Sequence, residues 1–563
     1  MNELIYKHVL HNAIRYEGKA NPGAIIGKIL GENPNLKSDM KNLSKEIQEI
    51  VKKVNSMKLE KQIEELKRIA PELLEEKKQE ETKDLKELPN VSKKGVIMRF
   101  APSPSGPMHI GHAATGGLSS LYIKKYGGKF YLRIEDTNPE NIYPPAYEMI
   151  PEEANWLFGN VAEVIIQSDR MKEYYKYIET FIKKEKAYIC ICESEVFKEL
   201  IESKKACPCR SLSVKEQLER WNKMLTSYKD GDAVVRFKSS VDDPNPAMRD
   251  FPLARINTEE HPRQGKKYRV WPLMNLAVTV DDIEYEMTHI IRAKDHIDNA
   301  KRQKMMFDVV NKKFPETFFL GRYNFEDLEI SCSKTRAKIE QGIFKSWDDI
   351  RLPFIAALKR RGYQPQAFLE FAKNVGLSQL DKTISAEEYF KLLNSLNKQI
   401  LDPISNRYFL VEDPVEIEIK NAPEINVELN LHPDDEKRGK RKLKTSSKFY
   451  ISKKDYDNLS ENKLNRLMDC LNFVKKKNKF EFVSKSHDEY KEAKTKGLII
   501  HYLPKNNLIK FELLMPDDII KKGYAEETIK KLKVNDIIQA ERIGFMRLDK
   551  IEKDIYKFWF THK

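Results

Sequence analysis

Two histidines, His109 and His112, stand three residues apart behind the loop Pro102-Ser103-Pro104-Ser105-Gly106-Pro107-Met108. On a helix that spacing puts both imidazoles on one face, where both can donate to one phosphate group. The prolines and Gly106 exclude regular helix or strand from the loop itself. Ahead of it, Val96-Ile97-Met98-Arg99-Phe100 reads as a buried parallel strand. Behind it, Ile110-Gly111-His112 opens a helix rich in Ala, Gly and Leu, and residues 129–134 read as the next strand, ending in Glu135-Asp136. Strand, tight loop, helix and strand make one βαβ unit, with the loop at the carboxyl end of its strand, where open α/β sheets bind ligands. Free N–H groups at the helix start and the small Gly106 and Gly111 suit an anion lying close to the backbone. Imidazoles carry little fixed charge near neutral pH, so they can hold pyrophosphate and let it leave. Taken alone, the same residues also describe a Pro-rich turn capping an ordinary helix.

Three further groups could do chemistry. Cys190 and Cys192 form one close pair and Cys207 and Cys209 another, fourteen residues apart. Two such pairs suit tetrahedral zinc, with no coordination position left open, so the role is structural. The bland reading is four free thiols. The run Val278-Thr279-Val280-Asp281-Asp282 reads as a strand ending in two carboxylates, followed by Arg292 and Asp295. Asp281, Asp282 and Arg292 could equally form a structural ion-pair network. The segment Ser331-Cys332-Ser333-Lys334-Thr335-Arg336 reads as a cationic loop, suited to charge developing on a departing phosphate.

The elements that position these groups lie in a chain of 563 residues, long enough for several domains. Its net charge is +14, which favours a polyanionic partner and salt-sensitive association. No apolar run is long enough to span a membrane, and the first residues lack the apolar stretch of a signal peptide, so a cytoplasmic chain with no membrane partner is expected. The six cysteines, four of them in one cluster, do not form a secreted disulfide framework. Residues 1–88 read as a helical extension, interrupted at 18–22 and 31–34, with a Lys/Glu-dense stretch at 61–86. Residues 346–402 have helical spacing, and 403–563 shift to many short strands with interleaved basic clusters, notably 437–442 and 475–477. That combination can bind RNA through phosphate contacts and stacking.

The run Arg99-Phe100-Ala101 through His112 closely resembles the first signature of the class I aminoacyl-tRNA synthetases, and its Pro-Ser-Pro-Ser-Gly loop resembles the glutamyl branch. Residues 287–296 are similar to the second-half segment of that branch. Ser331-Cys332-Ser333-Lys334 is a partial match to the second signature, with Ser331 in place of the first lysine and Cys332 in place of methionine. The barrel-like C-terminus and residues 20–28 resemble the archaeal type.

The resemblance implies a multidomain fold: a helical N-terminal extension (1–88), and a Rossmann-type α/β catalytic domain in two halves (89–187 and 291–345). Between the halves lies an insertion (188–290) that grips the acceptor end of tRNA, carries the zinc site and returns to the catalytic fold near 268. A helical linker (346–402) and a C-terminal β-barrel anticodon-binding region (403–563) follow. It implies a mobile second-signature loop, and ATP, with its magnesium, at residues 102–112, Asp295, Ser331, Ser333 and Lys334. His109, His112 and Lys334 are the implied catalytic residues. Arg99, Glu135 and Arg292 are implied to hold L-glutamate; the wall containing Met274 and Asn275 departs from the family and is left unassigned. Cys190, Cys192, Cys207 and Cys209 are the implied metal ligands. The expected partners are glutamate tRNA and also glutamine tRNA, with a monomeric chain. The alternatives are a glutaminyl enzyme, an adenylylating enzyme that uses no tRNA, or a zinc-containing RNA-binding protein with an inert nucleotide site.

Overall fold

The computed structural model describes residues 2–15, 18–20, 22, 25–26, 29, 40–70, 73, 84–477 and 479–563. They divide into two compact units, Met1–Asp84 and Leu85–Lys563. The first contains helices Asn2–Arg15, Met40–Asn55 and Leu59–Ile69. Ile5, Val9, Ile47, Val54 and Leu66 form its core, as the apolar spacing predicts. The buried Gln62 amide donates to the carbonyls of Gly18 (3.0 Å), Val54 (2.8 Å) and Met57 (3.2 Å), tying the turns together. The predicted break at 31–34, most of the stretch 20–28 and residues 71–72 and 74–83 of the Lys/Glu-dense stretch lie outside the described residues.

In the second unit, β1 (Val96–Phe100), the helix Ile110–Tyr126, β2 (Gly128–Ile134), the helix Ala146–Phe158 and β3 (Glu163–Ile166) alternate, and the strands are parallel in the order β1-β2-β3. The runs 96–100 and 129–134, read as strands, are strands. A four-stranded antiparallel sheet follows, from β4 (Ala187–Cys190), β5 (Val234–Phe237), β6 (Pro252–Ile256) and β7 (Val270–Pro272). Its core is shared with Tyr174, Ile178 and Phe181 of the helix Met171–Lys183, so this body begins ahead of residue 188. The chain returns through β8 (His289–Ala293), which pairs in parallel with β9 (Glu316–Leu320). Thr288 takes the Ile97 N–H on its hydroxyl (2.8 Å) and donates its own N–H to the Ile97 carbonyl (3.0 Å), joining β8 to the edge of β1.

One strand assignment from the sequence is wrong. Residues 278–282 lie within a helix, Met274–Glu284. Val278, Thr279 and Val280 are all buried, so every face is covered and no helical periodicity shows; the β-branched residues then imitate a strand. Asp281 and Asp282 therefore diverge by about 100° around the helix and share only Arg133 among their ion-pair partners.

Helices Ile355–Arg361, Pro365–Val375 and Ala386–Leu401 follow, as predicted for 346–402. Leu358, Phe368, Phe371 and Leu393 complete the same core as Met98, Phe100 and Phe158. Besides one two-stranded ribbon, the C-terminal strands form two seven-stranded sheets. The edges of one are the consecutive segments Arg407–Tyr408 and Leu410–Glu412; those of the other are Lys496–Ile500 and Leu503–Pro504. A sheet whose two edges meet on one run of chain is curled toward closure, which is the barrel-like form predicted. The basic cluster 437–442 lies partly in the strand Lys440–Lys444, which pairs with Asn426–Asn430. No helix among the described residues is long and apolar enough to cross a membrane.

Candidate active site

The helix Ile110–Tyr126 begins with His109 as its N-cap. The Gly111 N–H donates to His109 Nδ1 (3.1 Å), and the His109 N–H points to His112 Nδ1 (3.4 Å). With both Nδ1 atoms accepting, each neutral ring carries its proton on Nε2, free to donate outward. The rings stack with centroids 3.8 Å apart. Burial lowers the His112 pKa to about 4, and burial with the neighbouring imidazole takes His109 well below its ordinary value. Both are therefore neutral at pH 7. Between about 6.5 and 4 the unfolded imidazole takes a proton that folded His112 refuses, so stability is full above that window and falls as pH drops through it. NMR titration is expected to place the His112 midpoint near 4, with no histidine ionisation near 6.5 in the activity profile. A His112 midpoint near 6.5 would contradict this.

The loop ahead of the histidines is pinned at several points. Glu135 N–H donates to the Pro102 carbonyl (3.0 Å) and Tyr143 N–H to that of Pro104 (2.8 Å). Ile110 N–H donates to the Pro353 carbonyl (3.2 Å), and Ile355 N–H to that of Met108 (2.9 Å). Ser103 is exposed and Ser105 half-buried. Gly106 is required by close approach: a Cβ there would lie 2.9 Å from Cys332 Cβ and 3.1 Å from the Trp347 ring. Cys332 Sγ lies 3.6 Å from the Pro107 carbonyl. The fold thus lays the second motif against the first, although more than two hundred residues separate them.

Residues 331–336 are not the loop expected. Ser331 caps the helix Cys332–Glu340, its hydroxyl accepting from the Lys334 N–H (3.5 Å). A serine followed by Lys, Arg, Ala and Lys, with no Gly or Pro, is a helix start. Ser333 Oγ lies 3.3 Å from Ser331 Oγ, and exposed Lys334 pairs with Glu329 (2.8 Å), which also holds Lys338 (2.8 Å). Beside the histidines is a cavity of about 280 Å³, walled by His109, Gly111, Ala293, Arg322, Phe325 and Phe371. Asp295, at the carboxyl end of β8, accepts from Arg322 Nε (2.5 Å) at the edge of that wall.

Arg99, Glu135 and Arg292 converge around Asp282. Arg99 Nε lies 3.4 Å from Asp282. Arg133, which the sequence reading passed over, donates to the same carboxylate (2.7 Å) and lies 3.5 Å from Glu135. Asp281 hydrogen-bonds Gln167 (2.8 Å), Arg170 (2.7 Å) and Tyr174 (3.0 Å) on its other side and keeps Arg133 Nε at 3.9 Å. The ion-pair reading therefore holds for the two aspartates. Arg292 donates to Gln303 (2.8 Å), which also lies 3.4 Å from Asn275 and 3.8 Å from Met274 Sδ. The unassigned wall is thus connected to Arg292 through Gln303. Burial, with Arg99 nearby, lowers Arg292 to about 10. Burial raises the Glu135 carboxyl despite Arg133 and Arg99. Arg133 Nε and Nη2 and Arg292 Nε are buried with no hydrogen-bond partner among the described residues. Arg99, Arg133 and Arg292 face Asp282 and Glu135, with Asp281 3.9 Å from Arg133 Nε, and the buried Arg133 and Arg292 nitrogens that make no hydrogen bond among the described residues suit an added carboxylate. Arg133 was legible as a charge inside an apolar strand, two residues from Glu135 and so on its face. Gln303 carried no such signal among the polar residues of its helix.

The four cysteines also converge. Their sulfurs all lie within 4.8 Å of one another, with Sγ–Sγ separations of 3.6 Å (Cys190–Cys207), 3.3 Å (Cys192–Cys207) and 3.9 Å (Cys192–Cys209). Zn–S bonds of about 2.3 Å in a tetrahedron require S–S separations of about 3.8 Å, so the set fits zinc. Cys190 ends β4, and Gln217 fastens the two pairs by accepting from Ile189 N–H (2.7 Å) and donating to the Cys209 carbonyl (2.7 Å).

A parallel α/β core with a histidine loop on its helix start, an arginine pocket beside it and curled C-terminal sheets define a class I aminoacyl-tRNA synthetase. The chain belongs to the E and Q group of that class: the description "tRNA synthetases class I (E and Q), catalytic domain" matches residues 95–402. Two descriptions of the group's anti-codon binding domain match residues 405–490 and 452–549. The chain is 40% identical to a protein of Methanobrevibacter smithii, 41% to one of Methanocaldococcus jannaschii and 43% to one of Pyrococcus abyssi, in each case over 100% of both chains. Each of those relatives is named glutamate–tRNA ligase.

Proposed function

We propose that the chain attaches L-glutamate to tRNA at the expense of ATP. The observation that carries this is the buried arginine group, with unmatched donors, beside the histidine loop. Arg99 and Arg292 pair with the glutamate carboxylates and Glu135 with its ammonium. The glutamate α-carboxylate attacks the α-phosphate of ATP, giving glutamyl-adenylate and pyrophosphate. The terminal ribose hydroxyl of tRNA then attacks the acyl carbon and AMP leaves. The protein supplies position and charge rather than covalent chemistry. His109 and His112 donate from Nε2 to phosphate oxygens, while Asp295 and the cavity it edges hold the nucleoside. Lys334 leaves Glu329 to meet the charge developing on pyrophosphate, with Ser331 and Ser333 at the same helix start. Magnesium arrives with ATP. Cys190, Cys192, Cys207 and Cys209 would hold a structural zinc, which would cross-link the segment 190–209 of the insertion.

Lys334→Ala is expected to lower kcat for adenylate formation by about 10²–10³ while the KM for glutamate changes less than about threefold. Equal loss in both would remove Lys334 from the phosphate step.

We further propose that both glutamate tRNA and glutamine tRNA are charged with glutamate, by a monomeric cytoplasmic enzyme. The test is aminoacylation with labelled glutamate or glutamine, ATP-magnesium and each purified tRNA. Glutamate esterified to both tRNAs is the expected product. Glutamate on glutamate tRNA alone would remove the second specificity, and esterified glutamine would overturn the substrate assignment.

A further inference from the structure

Glu153 is a buried carboxyl on the helix Ala146–Phe158 with no part in the chemistry above. Its Oε2 accepts from the Met108 N–H at 2.6 Å, one residue before His109. Its Oε1 is buried without a hydrogen-bond partner among the described residues. Met108 is itself fully buried, so this N–H has no access to water. On the carbonyl side of Met108, Ile355 donates (2.9 Å), and an isolated β-bridge links His109 to Phe354. Residues 108–110 are thus held between Glu153 on one helix and residues 353–355, which lead into another.

We infer that Glu153 is a positioning residue for the ATP loop: by holding the Met108 N–H it sets the backbone from which His109 and His112 project. A buried amide without its acceptor is costly, and the backbone relieves that cost by turning. Turning Met108 rotates His109, which opens the helix, and displaces the two Nε2 donors together. Displacements of about 1 Å cost phosphate-transfer geometry on the order of a hundredfold.

The contact does not need a charge. Burial pushes the Glu153 carboxyl up to about 8, against the pull of the Met108 N–H and with Glu152 adding to the rise. Burial pushes the Cys332 thiol up to about 11, with the Glu153 charge adding to the rise. At pH 7 the group is therefore held neutral, and glutamine reproduces its shape and its acceptor oxygen. Glu153→Gln should keep the function of Glu153, and Glu153→Ala should lose it.

The inference rests on the reading of the loop as the ATP site, and two measurements on the full chain separate them. Amide hydrogen exchange at residues 107–112 is expected to quicken about tenfold in Glu153→Ala, with the barrels unchanged and Glu153→Gln close to the unsubstituted chain. In tRNA-dependent aminoacylation, Glu153→Ala is expected to lose about tenfold or more in kcat, with the KM for glutamate within about twofold, and Glu153→Gln to recover most of it. Unchanged exchange at 107–112 in Glu153→Ala would overturn the inference, as would a Glu153→Gln variant as impaired as Glu153→Ala. Exchange that behaves as expected in a chain that charges no tRNA would overturn the ATP-site reading and leave the clamp standing.

Discussion

Arg292→Met is expected to lower kcat/KM for glutamate by about three orders of magnitude while the melting temperature stays level or rises. Losing one partner of a buried charge-assisted pair costs about 2–5 kcal/mol, and a bidentate carboxylate contact lies at the upper end. Stability moves the other way because Arg292 is a burden on the unliganded fold. Its Nε has no partner among the described residues, and burial lowers its pKa to about 10, which means the folded chain disfavours its charge. Removing a buried cation whose charge the fold disfavours recovers its desolvation cost, which offsets the lost Gln303 contact. Gln303 keeps Asn275 and Met274 within 3.4 and 3.8 Å. Steady-state aminoacylation at varied glutamate, with a thermal melt of the same preparation, reads both effects. A variant that melts much earlier and loses ATP and glutamate affinity alike would make Arg292 structural.

The second large effect is expected from Cys207→Ser. Cys207 is buried, with one neighbouring sulfur at 3.3 Å and another at 3.6 Å, so it stands inside the cluster. Structural zinc sites contribute about 10–16 kcal/mol of apparent binding free energy at neutral pH, and that energy is folding energy for the segment they close. The small core around the cluster, Tyr188 and Phe197 among it, offers little to replace it. The unsubstituted chain is expected to carry one zinc per chain by elemental analysis. The variant is expected to lose it, to be cleaved by protease within residues 190–210, and to charge tRNA about a hundredfold more slowly. The parallel sheet β1-β2-β3 should persist, because its core draws nothing from the cluster. Full zinc content and unchanged proteolysis in Cys207→Ser would remove the metal from the argument.

What the sequence determined by itself is what is contiguous in it. The loop 102–112 announces its chemistry because proline, glycine and histidine act through their own backbone and a single helix start. The cysteine pairs suggest a metal site for the same reason, each pair lying within one turn. The barrel region was legible from its many short strands, though a polar but buried strand such as Leu464–Leu467 shows no alternation.

Tertiary structure decided the rest. Whether residues 278–282 were strand or helix depended on burial from every side, and burial is a property of neighbours. Asp282 became the hub of the buried arginine cluster only when β1, β2 and the helix Met274–Glu284 brought Arg99 and Arg133 to one carboxylate across 183 and 149 positions of chain. Cys332 met Gly106, and Glu153 met Met108, through the same long-range packing. Pairings of this kind leave no local trace. A buried arginine and a solvated one are the same letter in the sequence, and only the low dielectric and the missing partner distinguish them.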